Sequence, residues 1–149
     1  MKILVINSGS SSLKFQVVDP ENEKALAKGV CERIGIDGIF NYRTDGGISL
    51  KEPVAMPDHK AAVGVLLSML VDPERGVLKD FSEIDVVGHR LVHGGEKFTG
   101  SVVITEEVIQ AMTECNDLAP LHNPANLVGV AACRELMPDI LMVGVFDTA

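Results

Sequence analysis

The pattern of the sequence changes at Pro57, and this change constrains the fold more than any other feature. Before it, short β-prone runs alternate with turn residues. Residues 3–6 (Ile-Leu-Val-Ile) form a strand run broken at Asn7, Ser8 and Gly9. Residues 11–19 alternate, with Leu13, Phe15 and Val17 on one side and Ser12, Lys14 and Gln16 on the other. Pro20, Glu21 and Asn22 make a turn, and residues 25–34 predict a third, weakly patterned strand. Gly35, Gly38 and Asp45-Gly46-Gly47 bracket two more strands, 39–43 and 48–52, with Asp45-Gly46 a hairpin signal between them. After Pro57 helices and strands alternate. Asp58 caps a helix over 59–71 that Asp72-Pro73 ends, and its apolar residues surround the axis, so it is expected to be buried on most sides. A strand is expected at 84–93, a helix capped by Thr105 with Glu106 and Glu107 in its first turn, and a helix opened by Asn123-Pro124 and stopped by Pro138. Residues 140–146 are continuously apolar, the pattern of a strand covered on both faces. The order predicts an α/β fold: a mixed sheet with an N-terminal β-meander and helices packed on it.

At 149 residues and 46% hydrophobic content, the chain has the size of one folding unit that needs no covalent staple. With five Phe, one Tyr and no Trp, its core must be aliphatic. The formal charge of -8 argues against a nucleic-acid partner or an anionic membrane, whose affinity comes from clustered Lys and Arg. A small anion stays open, because a few placed cations or a metal override the global field. Cys31, Cys115 and Cys133 form no CxxC pair and are odd in number, which fits a reducing compartment. The run at 3–6 is too short for a signal peptide, and the longest apolar stretch, 61–71, is about half a membrane span. A soluble, cytoplasmic chain is expected.

Three places carry candidate chemistry. The first is the turn Asn7 to Lys14, rich in Ser and Gly. Small residues expose backbone N–H groups and add hydroxyls, which suits a phosphate. If the second strand begins near Ser10, then Ser10, Ser12 and Lys14 share a face by the period of two. The loop is not a Walker A motif, and an ordinary hairpin turn has the same composition. The second is His89 to Gly95. HExxH is absent, and on a strand His89 and His93 stand ~13 Å apart, too far to chelate one ion. A metal held through these two histidines is disfavoured, with a dinuclear or inter-element site left as the alternative. Arg90 shares a strand face with Ile84, Val86 and Val92, so its guanidinium fork will seek a carboxylate or phosphate, from a ligand or from one of the 21 acidic residues. The third is the pair of strand and helix ends. Asp147 ends the most apolar strand, where open α/β sheets place their ligand chemistry, and His122 precedes a helix start. A helix cap or a turn residue fits either of these positions as well.

Taken together, VINSGSSSLK at 5–14, HRLVHGG at 89–95, APLHNPAN at 119–126 and FDTA at 146–149 resemble the acetate kinase family, within the acetate and sugar kinase and actin superfamily. The resemblance runs over the full chain in the family's order. It implies a ribonuclease-H-like (actin-like ATPase) domain. It also implies phosphoryl transfer between ATP and acetate, dependent on Mg²⁺ or Mn²⁺, giving acetyl phosphate and ADP. Residue by residue, it assigns Asn7 to the metal side and Ser10, Ser12 and Lys14 to the phosphate loop. It assigns Arg90 to the acetate carboxylate and the transferring phosphoryl group, with Val92 and Leu121 as walls of the methyl pocket. His122 becomes a substrate-side histidine and Asp147 the active-site carboxylate near metal and phosphate. Family members are longer and have two similarly folded halves. Residues 1–149 are therefore expected to be the first half-domain of a two-domain kinase, inactive alone, with a homodimer formed mainly through the other half. A propionate-preferring kinase of the same family, or a non-catalytic half-domain acting as an interaction module, are the alternatives.

Overall fold

A computed structural model describes residues 1–91, 100–105, 107–110 and 123–146. The meander anticipated before Pro57 is present in full. Strands β1 (Ile3–Ser8), β2 (Leu13–Asp19), β3 (Lys24–Glu32), β4 (Ile39–Thr44) and β5 (Ser49–Pro53) pair antiparallel in chain order. Helix α1 (His59–Leu70) follows, with the Asp58 carboxylate accepting the Ala61 N–H at 2.8 Å as its N-cap. Only Lys60 and Ser68 of α1 are exposed, which matches the apolar residues all round its axis. A 3₁₀ turn at Phe81–Glu83, which the sequence pattern does not mark, leads into β6 (Val86–Leu91), the strand expected over 84–93. Residues 107–110 are helical, and the Val108 N–H donates to Thr105 Oγ1, the expected cap. Helix α2 (Asn123–Leu136) ends two residues before Pro138.

The remaining strands set the topology. Among the described residues, β7 (Gly100–Val103) and β8 (Leu141–Phe146) complete one eight-stranded sheet in the order β5-β4-β3-β2-β1-β6-β8-β7. The run β1, β6 and β8 is parallel, and β7 returns antiparallel on β8 at the edge. β7 carries no alternation and its strand was not anticipated. β1, the first element made, thus lies between the meander and the crossover strands, so its C-terminal end faces elements from the whole chain.

One face of the sheet is covered. Leu4 and Ile6 of β1, Leu13 and Val17 of β2, and Val87 and Leu91 of β6 are buried under α1 and α2, which also pack on each other. The aliphatic core has one aromatic exception. Phe15, Phe40 and Tyr42 stack with centroids 5.8–6.4 Å apart, and Tyr42 Oη donates to the Arg75 carbonyl at 2.9 Å. Gly29 makes room for this stack, because a Cβ there would stand 2.7 Å from the Phe15 ring and 2.3 Å from the Asn41 carbonyl. Cys31 and Cys133 are free and buried, and burial pushes both thiols up to about 12, leaving them unreactive.

Two expectations are corrected. β8 is not covered on both faces: Leu141 and Val145 are 48% and 45% exposed, because no helix among the described residues lies on that side. β8 lies between β6 and the edge strand β7, with one apolar face in the core and the other open. Ile84 does not share the Arg90 row. It precedes β6, is buried, and follows the 3₁₀ turn. No helix of the described chain is long and apolar enough to cross a membrane.

Candidate functional site

The uncovered face of the sheet holds the candidate residues. Pleating sends Leu4, Ile6 and Ser8 under the helices, so Ile3, Val5 and Asn7 face the other way. Register then decides what stands beside Asn7. The β1–β2 ladder pairs it with Lys14. The β1–β6 ladder pairs Ile6 with His89, and one further step of that register sets Asn7 beside Arg90. Arg90 in turn pairs with Val145 on β8. Arg90, Asn7 and Lys14 therefore form one row across three strands, at ~4.8 Å per strand, near the carboxyl ends of the parallel pair. All three line a cavity of about 660 Å³.

The Ser-rich turn sits at the end of this row. β2 begins at Leu13, not near Ser10, so Ser10 and Ser12 are turn residues and the pleat does not decide their direction. What shapes the turn is a set of clamps on its carbonyls. The Gly9 N–H donates to the Ser12 carbonyl at 2.9 Å, and the Ile34 N–H donates to the Ser11 carbonyl at 2.9 Å. The His59 ring donates Nε2–H to the Gly9 carbonyl at 2.7 Å. Three turn carbonyls are thus taken by protein donors. The N–H groups of Ser10, Ser11 and Ser12 have no acceptor among the described residues, and Ser10 and Ser11 are exposed. An anion cradle needs this polarity, with acceptors engaged and donors available.

Two residues that sequence reasoning missed hold this end of the sheet. His59, the first residue of α1, is buried and tethers the turn, and only its position after the Asp58 cap hinted at a special role. Gly129 lies where α2 crosses β1. A Cβ there would stand 2.7 Å from Ser8 Cβ, so glycine lets the helix sit directly on the residue before the turn. Neither contact is readable locally, since each joins residues at least 50 positions apart.

His89 points the other way from Arg90, into the core, at 2% exposure. A thioether only accepts, so Nε2–H donates to Met142 Sδ at 3.3 Å. Burial lowers the His89 pKa to about 4, and the ring is neutral at physiological pH. It does not belong to the open-face site, and this removes the metal reading of His89 with His93. His93, Val92, Leu121, His122 and Asp147 lie outside the described residues.

The divalent metal implied by the family resemblance can be tested against the donors present. Among the described residues, the side chains of Asn7, Gln16 and Asn41 give the cavity hard amide-oxygen ligands, and no three His, Cys, Asp or Glu side chains gather anywhere. Mg²⁺ keeps several waters and takes much of its coordination from substrate phosphates. This donor set fits an ion brought in with a phosphate.

Comparison with known proteins agrees with this architecture. The sequence model of the acetokinase family matches residues 2–149. An acetate kinase of Agathobacter rectalis is 59% identical over the whole chain, which spans 38% of that protein. The crystal structure of Porphyromonas gingivalis acetate kinase superposes with a TM-score of 0.95 at 49% identity, covering 99% of this chain and 37% of that one. A propionate kinase from Francisella tularensis superposes at 0.90 with 34% identity over the same shares. The fold is the actin-like ATPase fold of these enzymes.

Proposed function

The chain belongs to the acetokinase family, and from that premise we propose that it supplies the carboxylate- and phosphoryl-handling part of an active site that moves a phosphoryl group between ATP and acetate, giving acetyl phosphate and ADP. The observation that carries this reading is the row Arg90–Asn7–Lys14 beside a turn whose carbonyls are tied back. Phosphoryl transfer proceeds through a loose transition state that asks mainly for positioning and charge neutralisation. The Arg90 guanidinium offers a planar fork to a carboxylate or a phosphoryl group. Lys14 adds a second positive charge two strands away, and the Ser10–Ser12 amides and hydroxyls add neutral donors at the end of the row. Asn7 would hold the divalent metal, which when bound neutralises phosphate charge. Val92 and Leu121 are assigned to the methyl pocket, His122 to the substrate side, and Asp147 to the carboxylate near the metal.

The chain spans 37–38% of the length of the curated relatives it matches. We therefore place the remaining nucleotide contacts, the dimer interface and turnover itself in the longer protein, working in the cytoplasm, and expect the 149 residues alone to bind anions without catalysing transfer. Replacing Arg90 by Ala in the longer protein should lower kcat by on the order of 10³ and weaken acetate binding. Near-normal kinetics would refute the assignment. A second reading, propionate preference, is favoured by the Francisella tularensis neighbour. Because one methylene in an apolar pocket changes selectivity only ~10–200-fold, kcat/KM across acetate, propionate and butyrate decides between the two.

A further inference from the structure

The cavity extends beyond the Arg90–Asn7–Lys14 row. One pleat further along β2, Gln16 pairs with Lys28 on β3, and Lys28 pairs with Arg43 on β4. All three line the same cavity. Among the described residues its lining therefore holds four cations and no carboxylate, in a chain that carries 21 acidic residues against 13 basic ones. Lys28 and Arg43 are direct cross-strand partners on one face, about 5 Å apart at Cα, an arrangement that costs stability when both charges have one sign. Neither makes an ion pair with any described residue. The acidic residues nearby are committed or distant. Asp45, at the end of β4, is held by Lys24 at 3.1 Å, and Glu32 lies four residues along β3 from Lys28, ~13 Å away. Lys14 lies one strand and one pleat from Lys28, ~8 Å at Cα, and both ammonium groups ride on flexible stems.

We propose that Lys28 and Arg43 form a second oxyanion subsite on the open sheet face, which together with Lys14 binds a linked oligophosphate of two or three phosphates. Two repelling cations kept side by side in a concave surface, with no carboxylate among its described lining residues, are neutralised by an anion that bridges them. Arg43 stands two strands and one pleat from Lys14, roughly 12 Å at Cα, so the three cations are spread along a length that linked phosphates match better than a single orthophosphate does. The near end of this subsite rests on the reading of Lys14 as a phosphate contact, while the Lys28–Arg43 pair does not. The linked phosphates come either from a free inorganic oligophosphate or from the tail of a nucleoside triphosphate.

The test is calorimetric titration of the 149-residue chain with orthophosphate, inorganic triphosphate and ATP at fixed ionic strength. Wild type should bind triphosphate at least tenfold more tightly than orthophosphate. The double variant Lys28→Gln/Arg43→Gln should lose that preference and keep its orthophosphate affinity within twofold. Both side chains are exposed, so the fold is not at stake, and circular dichroism of each variant checks this. ATP following the same pattern identifies the nucleotide tail as the source. ATP binding unaffected by the double variant identifies a free oligophosphate. Lys14→Gln should weaken both inorganic anions. If it weakens neither while the double variant still abolishes the triphosphate preference, the phosphate-loop reading of Lys14 fails and the Lys28–Arg43 subsite stands. The proposal is overturned if wild type shows no preference for triphosphate. It is also overturned if the double variant retains the preference, or if Lys60→Gln/Lys79→Gln, which removes two cations outside this cavity, has an equal effect.

Discussion

Lowering the pH from 7 to 5 is expected to remove about 2 kcal/mol from the stability of this chain through His89 alone. The ring is 2% exposed, packed against Met142, and has its pKa lowered from 6.5 to about 4 by burial. As pH falls below 6.5, the unfolded chain takes up a proton at His89 before the folded chain does. The unfolded state then binds more protons, so stability falls with falling pH. The contribution is fully present above pH 6.5 and is lost progressively as pH drops towards 4. Linkage between these two values gives a penalty of about 0.2 kcal/mol at pH 7, about 2 at pH 5, and a limit of about 3 below pH 4. The window is clear of the paired carboxylates. Asp37, held by Arg33, Asp72, held by the Arg75 and Glu74 amides, and Glu83, held by Lys2, all titrate below the ordinary carboxylate range. The assay is urea unfolding at pH 7, 6 and 5 of wild type, His89→Leu and His89→Gln. Leu tests an apolar replacement of similar size, and Gln a polar one that cannot titrate. Both variants should lose about 2 kcal/mol less than wild type between pH 7 and 5. Parallel losses in all three proteins would show that His89 does not titrate with a depressed pKa and would refute the reasoning.

Two further outcomes follow from close contacts. Gly129→Ala should destabilise by about 1–3 kcal/mol, because its methyl meets Ser8 Cβ at 2.7 Å, whereas Gly64→Ala in α1, with nothing within 4 Å, should stabilise by roughly 0.5–1 kcal/mol. Equal effects in urea melts would mean that α2 does not press on β1. His59→Ala should speed hydrogen exchange at Gly9 and Ile34 by about tenfold, since losing the tether frees the turn at a cost of about 1 kcal/mol. His59→Gln, which can still donate to the Gly9 carbonyl, should restore part of the protection, and unchanged exchange in His59→Ala would count against the tether.

Much of the fold was legible because its signals are local. The alternation of Leu13, Phe15 and Val17, the Asp58 cap, Thr105 before a helical stretch and Pro138 after α2 each act within a few residues of themselves. The departures occurred where the deciding neighbour is distant. β7 is a strand because β8 offers it an edge, although nothing in residues 100–103 alternates. β8 read as doubly buried because periodicity records apolarity and not which face a helix covers. The β2 start was placed too early because Ser10 to Ser12 are small enough for either strand or turn, and the Ile34 and His59 donors decide for the turn.

The sequence by itself determined that the chain alternates strands and helices after a β-meander, that its core is aliphatic, and that Asn7, Lys14 and Arg90 are candidate polar groups near strand ends. Only the tertiary structure decided that these three share one row, that His89 faces away from them, and that Lys28 and Arg43 stand side by side in the same cavity. The pleat that fixes which face a residue takes is a property of each strand alone. The register that fixes its neighbour is set between strands 83 residues apart, here between Ile6 on β1 and His89 on β6, which brings Asn7 beside Arg90 on the open face, while α1 and α2 pack against the opposite side of the sheet.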